Sequence, residues 1–343
     1  WSAYCDRNHQ GSCHDLPHWQ IVPAALSLIF VDVQNSCLVQ TLGYVSDKYV
    51  TLSYVWGRTP GSLELRSKNL SLLCVKGSLR VTKFSSRIPK TILDAMTITR
   101  QMGLRYLWVD RLCIIQDVPT HLTTQLQQMA SIYANCYFTI IAADGFDAEH
   151  GLLGVDPHSS ARCNLQTSFD FAENVKMIQK PEKESFFCKP FWSTRGWTFQ
   201  ERAVSPRNLV FTNNTMYWEC RSATWYENVQ GEADDNSSQL HPYPASSGWP
   251  SYALKINPWP DLEQYFDLVR GYNARNLTFE SDALNAFAAI ITAMSKSFPG
   301  GFHFGIPVFL FDIGMLWSSY SSLKRRSGFP SWSWLGWAGE LSL

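Results

Sequence analysis

The sequence predicts an α/β fold: a parallel sheet with flanking helices, elaborated by a mixed α+β region toward the C-terminus. Two observations carry this. Between residues 49 and 141 strand-like runs alternate with helical stripes in the order β-α-β-α-β, with connections long enough for parallel crossovers. The strand-like runs are almost continuously apolar, as strands covered on both faces are.

Each element has a local reason. Residues 28–33 read as a strand, with Asn35-Ser36 turning into a second run at 37–39. Residues 49–55 form the next β run, stopped by Trp56-Gly57. Residues 58–88 read as hairpin and loop, broken by Gly61, Asn69 and Gly77. The period then changes: Ile92, Ala95-Met96, Thr99 and Met102 recur at helical spacing, with Pro89 suited to the first turn and Gly103 to the stop. RYLWVDRLCIIQD (105–117) reads as a buried strand despite Asp110 in its middle. Alternation puts Tyr106, Trp108, Asp110 and Leu112 on one face, and Leu107, Val109, Arg111 and Cys113 on the other. A buried carboxylate costs several kcal/mol unless it is satisfied, so Asp110 needs a partner. Two roles suit it: holding a network or touching a ligand.

Leu122, Leu126, Met129 and Ile132-Tyr133 make a second helical stripe, followed by a strand at 137–141. Ligands of such sheets bind beyond the carboxyl ends of the strands, here read as 53–57, 115–117 and 143–145. Residues 145–190 are punctuated by Gly and Pro. Residues 193–202 read as a short helix capped by Ser193 or Thr194, and 208–211 and 216–220 as strands around an Asn-Asn-Thr turn. Residues 231–250 are polar and Pro/Ser-rich, hence loop. Helical patterns return at 261–271 and 281–296, and 330–337 alternates Trp with small residues like a half-buried strand.

Composition excludes several classes. Hydrophobic residues make up 45% and charged residues 17%, enough for a sizeable core and too little charge for disorder. Lys+Arg and Asp+Glu are both 29, so no global field recruits nucleic acid or an anionic membrane. No apolar run reaches membrane-spanning length, no signal peptide opens the chain, and Trp1 stands where an initiator Met would in a complete one. Nine Cys, an odd number without framework spacing, fit a reducing compartment, and the cytosol is the expected location. Cys5, His9, Cys13, His14 and His18 are zinc-type ligands, but they lack a paired CxxC and a second half-site. They read as a polar surface segment, with no metal expected. Cys113 reads as an inert core thiol, having no neighbouring His. Neither a Gly-x-Gly-x-x-Gly fingerprint nor a Walker A loop occurs, which removes the dehydrogenase and P-loop readings.

Four segments together resemble the fungal heterokaryon-incompatibility (HET) domain: YVTLSYVWG (49–57), the helix from 88 with RYLWVDRLCIIQD, MASIYAN (129–135), and RGWTFQER (195–202). Arg275-Asn-Leu-Thr278, Asp282-Ala-Leu284 and the terminal PSWSWLGW are similar to the family's C-terminal signatures. The organisation expected is an N-terminal extension (1–26), a HET domain (27–220), and a C-terminal α+β region (221–343) packed on it. The resemblance implies a role in nonself recognition and cell death, and a TIR/flavodoxin-like sheet, since the family has been likened to TIR domains. Thr51-Leu-Ser-Tyr54 looks like the first TIR strand, and Trp197 and Glu201 have the Trp-to-Glu spacing of the TIR catalytic helix, with Thr198 where that motif has Cys. Residues four apart share a helix face.

By that likeness the substrate is NAD or a related nucleotide, with no further cofactor, and activation takes self-association or a protein partner. Glu201 is the catalytic carboxylate, and Ser53, Tyr54, Trp56, Gly57, Arg58, Asp110, Gln116, Asp117, Arg195 and Trp197 are the candidate binding residues. Gln125 stands where similar chains often carry an acid. The alternative is a non-catalytic module that acts by self-association or partner binding. Glu201 also has a purely structural role open to it, pairing with Arg195 or Arg202 at a helix surface.

Overall fold

A computed structural model describes residues 1–9, 13, 24–43, 47–156, 168–172, 175–178, 190–212, 215–227, 243–244, 254, 257–319 and 321–342. His14, His18, the Asn-Asn pair at 213–214 and most of 231–250 lie outside them.

The parallel core is built by four strands: β3 (Tyr49–Ser53), β4 (Tyr106–Trp108), β5 (Phe138–Ala142) and β8 (Arg207–Thr212). β3 pairs in parallel with β4 on one side and β5 on the other, and β5 pairs in parallel with β8. Counting these four in chain order, the spatial order is 2-1-3-4, the flavodoxin-like arrangement with its switch point between β3 and β5. Antiparallel strands extend both edges: β1 (Ile29–Asp32) and β2 (Cys37–Gln40) beyond β4, and β9 (Thr215–Cys220), β10 (Ala223–Tyr226) and β11 (Tyr243–Pro244) beyond β8. Together they form a nine-stranded sheet. A separate hairpin joins β6 (Ser168–Ala172) and β7 (Val175–Ile178).

α1 (Ser2–Asn8) lies at the N-terminus. α2 (Lys90–Gln101) and α4 (Pro119–Ala134) are the crossover helices, with Gly103 in the left-handed region just after the end of α2. α5 (Gly196–Val204) is buried almost all round, so it is an internal helix rather than a surface one. It packs on β3, β5 and α4 on one side, and on α6 (Leu262–Asn273) and α7 (Ala288–Met294) on the other. Phe199 meets the rings of Tyr272 and Phe287, and Gln200 accepts the Ala289 amide at 2.9 Å. The C-terminal region therefore closes the core over α5. Gly196 permits this, because a Cβ there would sit 2.4 Å from Leu277 Cδ2.

The structure corrects four expectations. The run 105–117 is not one strand. β4 stops at Trp108, and Asp110–Cys113 form a single-turn helix, α3, so the two-face alternation ends before Asp110. Leu112 and Cys113 are buried from a helix, which is why the stretch looks uniformly apolar. The strand exit is accordingly Trp108-Val109, not 115–117. Residues 58–88 hold single-turn helices at 70–73 and 82–85 rather than a hairpin. Ser193 and Thr194 lie in a 3₁₀ turn and bond back to Pro190 and Phe191, so Arg195 occupies the cap position of α5. The Trp-rich end is a 3₁₀ turn, Trp334–Gly336, capped by Ser333, and only 337–338 form a strand. Trp334 is fully buried there, its Nε1 donating to the Tyr265 hydroxyl at 3.0 Å.

Asp32 organises the edge. Its Oδ1 accepts the amides of Gln34 and Asn35, and its Oδ2 accepts Arg105 Nε and NH2 at 2.9 and 2.8 Å. Burial alone would raise this carboxyl, but Arg105 and Asn35 outweigh it and hold the group below the usual carboxylate range. A depressed folded pKa contributes stability that is present above about pH 4 and is lost as pH falls through the folded value. Asp32→Ala should lower the unfolding free energy by about 2 kcal/mol at neutral pH, and the deficit should shrink in acid; chemical denaturation at several pH values checks both.

Candidate functional site

The loops leaving β3, β4 and β5 meet above the sheet's carboxyl end. Gly57 makes their approach possible. Its φ is +62°, and a Cβ there would lie 2.1 Å from Asp147 Cβ and 2.6 Å from Asp147 Cα in the loop after β5. That second loop is stapled to α2, where Leu152 N donates to Asp94 Oδ2 at 2.7 Å and Gly151 N to Thr91 Oγ1 at 3.1 Å.

At the switch point a chain of donors ends on Glu201. Trp192 Nε1 donates to Ser53 Oγ at 2.8 Å, and the Ser53 hydroxyl donates to Glu201 Oε2. Ser53 is the last residue of β3, so the sheet itself presents this hydroxyl. Glu201 comes from the middle of α5 and retains only 8% of its surface. Burial pushes its carboxyl up to about 7, with Asp110 adding to the rise and Ser53, Arg195 and Tyr133 opposing it. Tyr133 itself anchors to the sheet, donating to the Leu52 carbonyl at 3.0 Å.

Asp110 is the second carboxylate. As the first residue of α3 it accepts the Arg111 amide on Oδ1 at 2.7 Å and the indole N–H of Trp56 on Oδ2 at 2.6 Å. Burial raises its carboxyl too, against Trp56, the Arg111 amide, Arg195 and Arg111. Its side chain is half-buried. Arg111 lies over the Trp56 ring, 4.5 Å from its centroid, and donates to Thr59 Oγ1 at 3.0 Å. Arg195 donates to the Tyr54 carbonyl at 2.9 Å, and its field reaches both Asp110 and Glu201. The buried Tyr54 hydroxyl sits in the field of Asp110 and Arg111, out of hydrogen-bonding geometry with any described group.

Ser53, Tyr54, Trp56, Asp110, Arg195 and Glu201 thus converge through direct contacts or shared fields. Gly57 shapes the rim, and Arg58 is exposed beside it. Trp197, on α5, is half-buried and packs on the main core. Gln116 caps α3 instead, Nε2 donating to the Asp110 and Ile114 carbonyls at 3.0 Å. Asp117 is held by Ser67, through its amide and hydroxyl at 2.7 and 2.8 Å. Gln125 is buried on α4 with Oε1 unpartnered among the described residues. Arg202 pairs with Glu219 of β9 at 3.0 Å, which leaves Glu201 to Ser53. Trp192, Arg111 and Tyr133 were not expected here. Tyr133 lay within a quoted motif but read only as a helix stripe, and nothing in the spacing marks Trp192.

A carboxyl near 7 bonded to the end of a strand suits proton transfer or stabilisation of a cation at neutral pH. The raised pKa has a stability cost with a definite sign. Above the unfolded value the native state must ionise a buried acid, so stability falls as pH rises from about 4 to about 7 and is level beyond. The stability of the wild type relative to Glu201→Gln should therefore fall over that range by on the order of 3 kcal/mol, read from denaturation midpoints. A pH-independent difference contradicts the raised pKa.

No helix among the described residues is long and apolar enough to cross a membrane. The sequence model of the family described as heterokaryon incompatibility protein (HET) matches residues 49–201. No curated protein and no solved structure matches the chain significantly. The matched span opens on the first residue of β3 and closes on Glu201, so it contains β3, β4 and β5, the loops that leave them and both carboxylates. On these grounds the chain carries a heterokaryon incompatibility (HET) domain.

Proposed function

We propose that this HET domain is a cell-death effector of nonself recognition that hydrolyses NAD, or a related nucleotide, at the nicotinamide–ribose bond. The observation that carries the reading is the place of Glu201: a buried carboxyl titrating near neutrality, bonded to the last residue of β3, at the switch point of a 2-1-3-4 sheet.

The reaction needs little from the protein beyond electrostatics and positioning. The C1′–N bond breaks with its electron pair leaving on nicotinamide, which departs neutral. The ribose becomes oxocarbenium-like, and a carboxylate beside it stabilises that charge as in glycoside hydrolysis. Water then adds to C1′ and gives its proton to Glu201, yielding the free ribose hydroxyl. A cationic substrate favours the ionised Glu201, and Arg195 holds the pair of carboxylates together against mutual repulsion. Trp56, oriented by Asp110 and covered on one face by Arg111, is the aromatic platform, and Arg58 is the contact for the pyrophosphate.

One observation favours the second reading, a non-catalytic module. The β6–β7 hairpin exposes Phe169, Phe171, Val175 and Met177, the kind of apolar patch that mediates association. Concentrated wild-type protein should release nicotinamide from NAD at a rate that rises with pH through about 7, as the carboxylate forms. Glu201→Gln should be slower by about 10²-fold or more, and Trp56→Ala should chiefly raise KM. Cell killing that persists in Glu201→Gln with cellular NAD unchanged supports the second reading instead.

A further inference from the structure

A second cluster lies at the N-terminus, on a different set of strands. Cys5 is in α1 and His9 is its C-cap, and the amides of His9 and Cys13 donate to the carbonyls of Cys5 and His9 at 2.9 and 2.8 Å. Successive steps of four align the three side chains. The fourth group arrives from far along the chain: Cys220, the last residue of β9. The sulfur and ring-nitrogen atoms of Cys5, His9, Cys13 and Cys220 all lie within 4.8 Å of one another, and Cys220 Sγ is 3.4 Å from His9 Nδ1. A tetrahedral zinc with bonds of about 2.3 Å to sulfur and about 2.0 Å to nitrogen has ligand–ligand edges of roughly 3.5–3.8 Å. The four atoms therefore need only a small contraction to surround one ion. The segment expected to be a polar surface is instead partly core, since Cys5 and Cys13 are buried.

We propose that Cys5, His9, Cys13 and Cys220 bind one zinc ion in a closed, structural Cys₃His site. Four protein ligands leave no open position, so the ion does no chemistry on a substrate. Three thiolates and Zn²⁺ carry a net charge of −1, which in a buried place needs a cation. Arg207, 2% exposed, supplies it by donating Nε to Cys5 Sγ at 3.3 Å, and the Arg221 amide faces Cys13. The His9 ring is fixed between Tyr4 and Trp225, 5.8 and 5.6 Å from their centroids. Three thiols cannot all be neutralised by disulfide pairing among themselves, whereas a metal uses all three. The ion would tie α1 to β9, alongside the Arg207–Asp6 ion pair and the Ser2–Tyr137 hydrogen bond.

The test is the metal content of the full chain purified without chelator. Inductively coupled plasma mass spectrometry should find one zinc per chain, Cys13→Ser and Cys220→Ser should each lose it, and Cys74→Ser, outside the cluster, should keep it. Should the variants fail to fold, wild type depleted by chelator and reloaded with Co²⁺ should show the thiolate charge-transfer band and intense visible absorption of a tetrahedral site. A folded, metal-free chain whose three thiols react freely with a thiol reagent overturns the proposal. So does a disulfide within the cluster, or zinc that survives Cys220→Ser.

Discussion

Two mutually repelling carboxylates held at one end of the sheet are the constraint on which the rest of this structure depends. Glu201 and Asp110 repel one another, and burial disfavours the charge of both. They persist together because the surroundings are built around them. The Trp192–Ser53 relay ends on one, the Trp56 indole and Arg111 amide satisfy the other, and Arg195 supplies a positive field to both. These donors come from the end of β3, the loop after it, α3 and the segment leading into α5, so all four must be in register with the helix that carries Glu201 for the arrangement to exist.

That requirement gives the C-terminal region a physical purpose. α5 carries Glu201 and is too apolar on its far side to face water. Phe199 and Gln200 are covered by α6 and α7, and the Arg195–Gly196 backbone is pinned by Asn276, with Gly196 N donating to its carbonyl at 2.7 Å. Arg275 adds a guanidinium over the Phe199 ring at 4.7 Å. The carboxylate is thus set against β3 by pressure from both sides of its helix, which is the kind of preorganisation that a rigid charged site needs.

Much of this was legible in the sequence, because the parallel strands are continuous apolar runs and α2 and α4 keep a helical period. The likeness of RGWTFQER to a TIR helix singled out Glu201, and the structure bonds that side chain to Ser53 at the end of β3. Asp110 was misread as mid-strand because hydrophobicity does not change where β4 gives way to α3: Leu112 and Cys113 are buried in a helix as completely as they would be in a strand. Gln116 and Asp117 followed that error, and both serve backbone groups. Trp192 and Cys220 were invisible for another reason. Their roles come from tertiary contacts across more than a hundred residues, which no local pattern encodes.

The coupling of the two acids is what most directly tests this account. Carbon-13 NMR of protein labelled at glutamate carboxyls should show one resonance titrating near 7, and its midpoint should move down when Asp110 is replaced by Asn, since one source of negative field is gone. Glutamates that all titrate between about 4 and 5, or a high midpoint indifferent to that replacement, would contradict the coupling of the two acids.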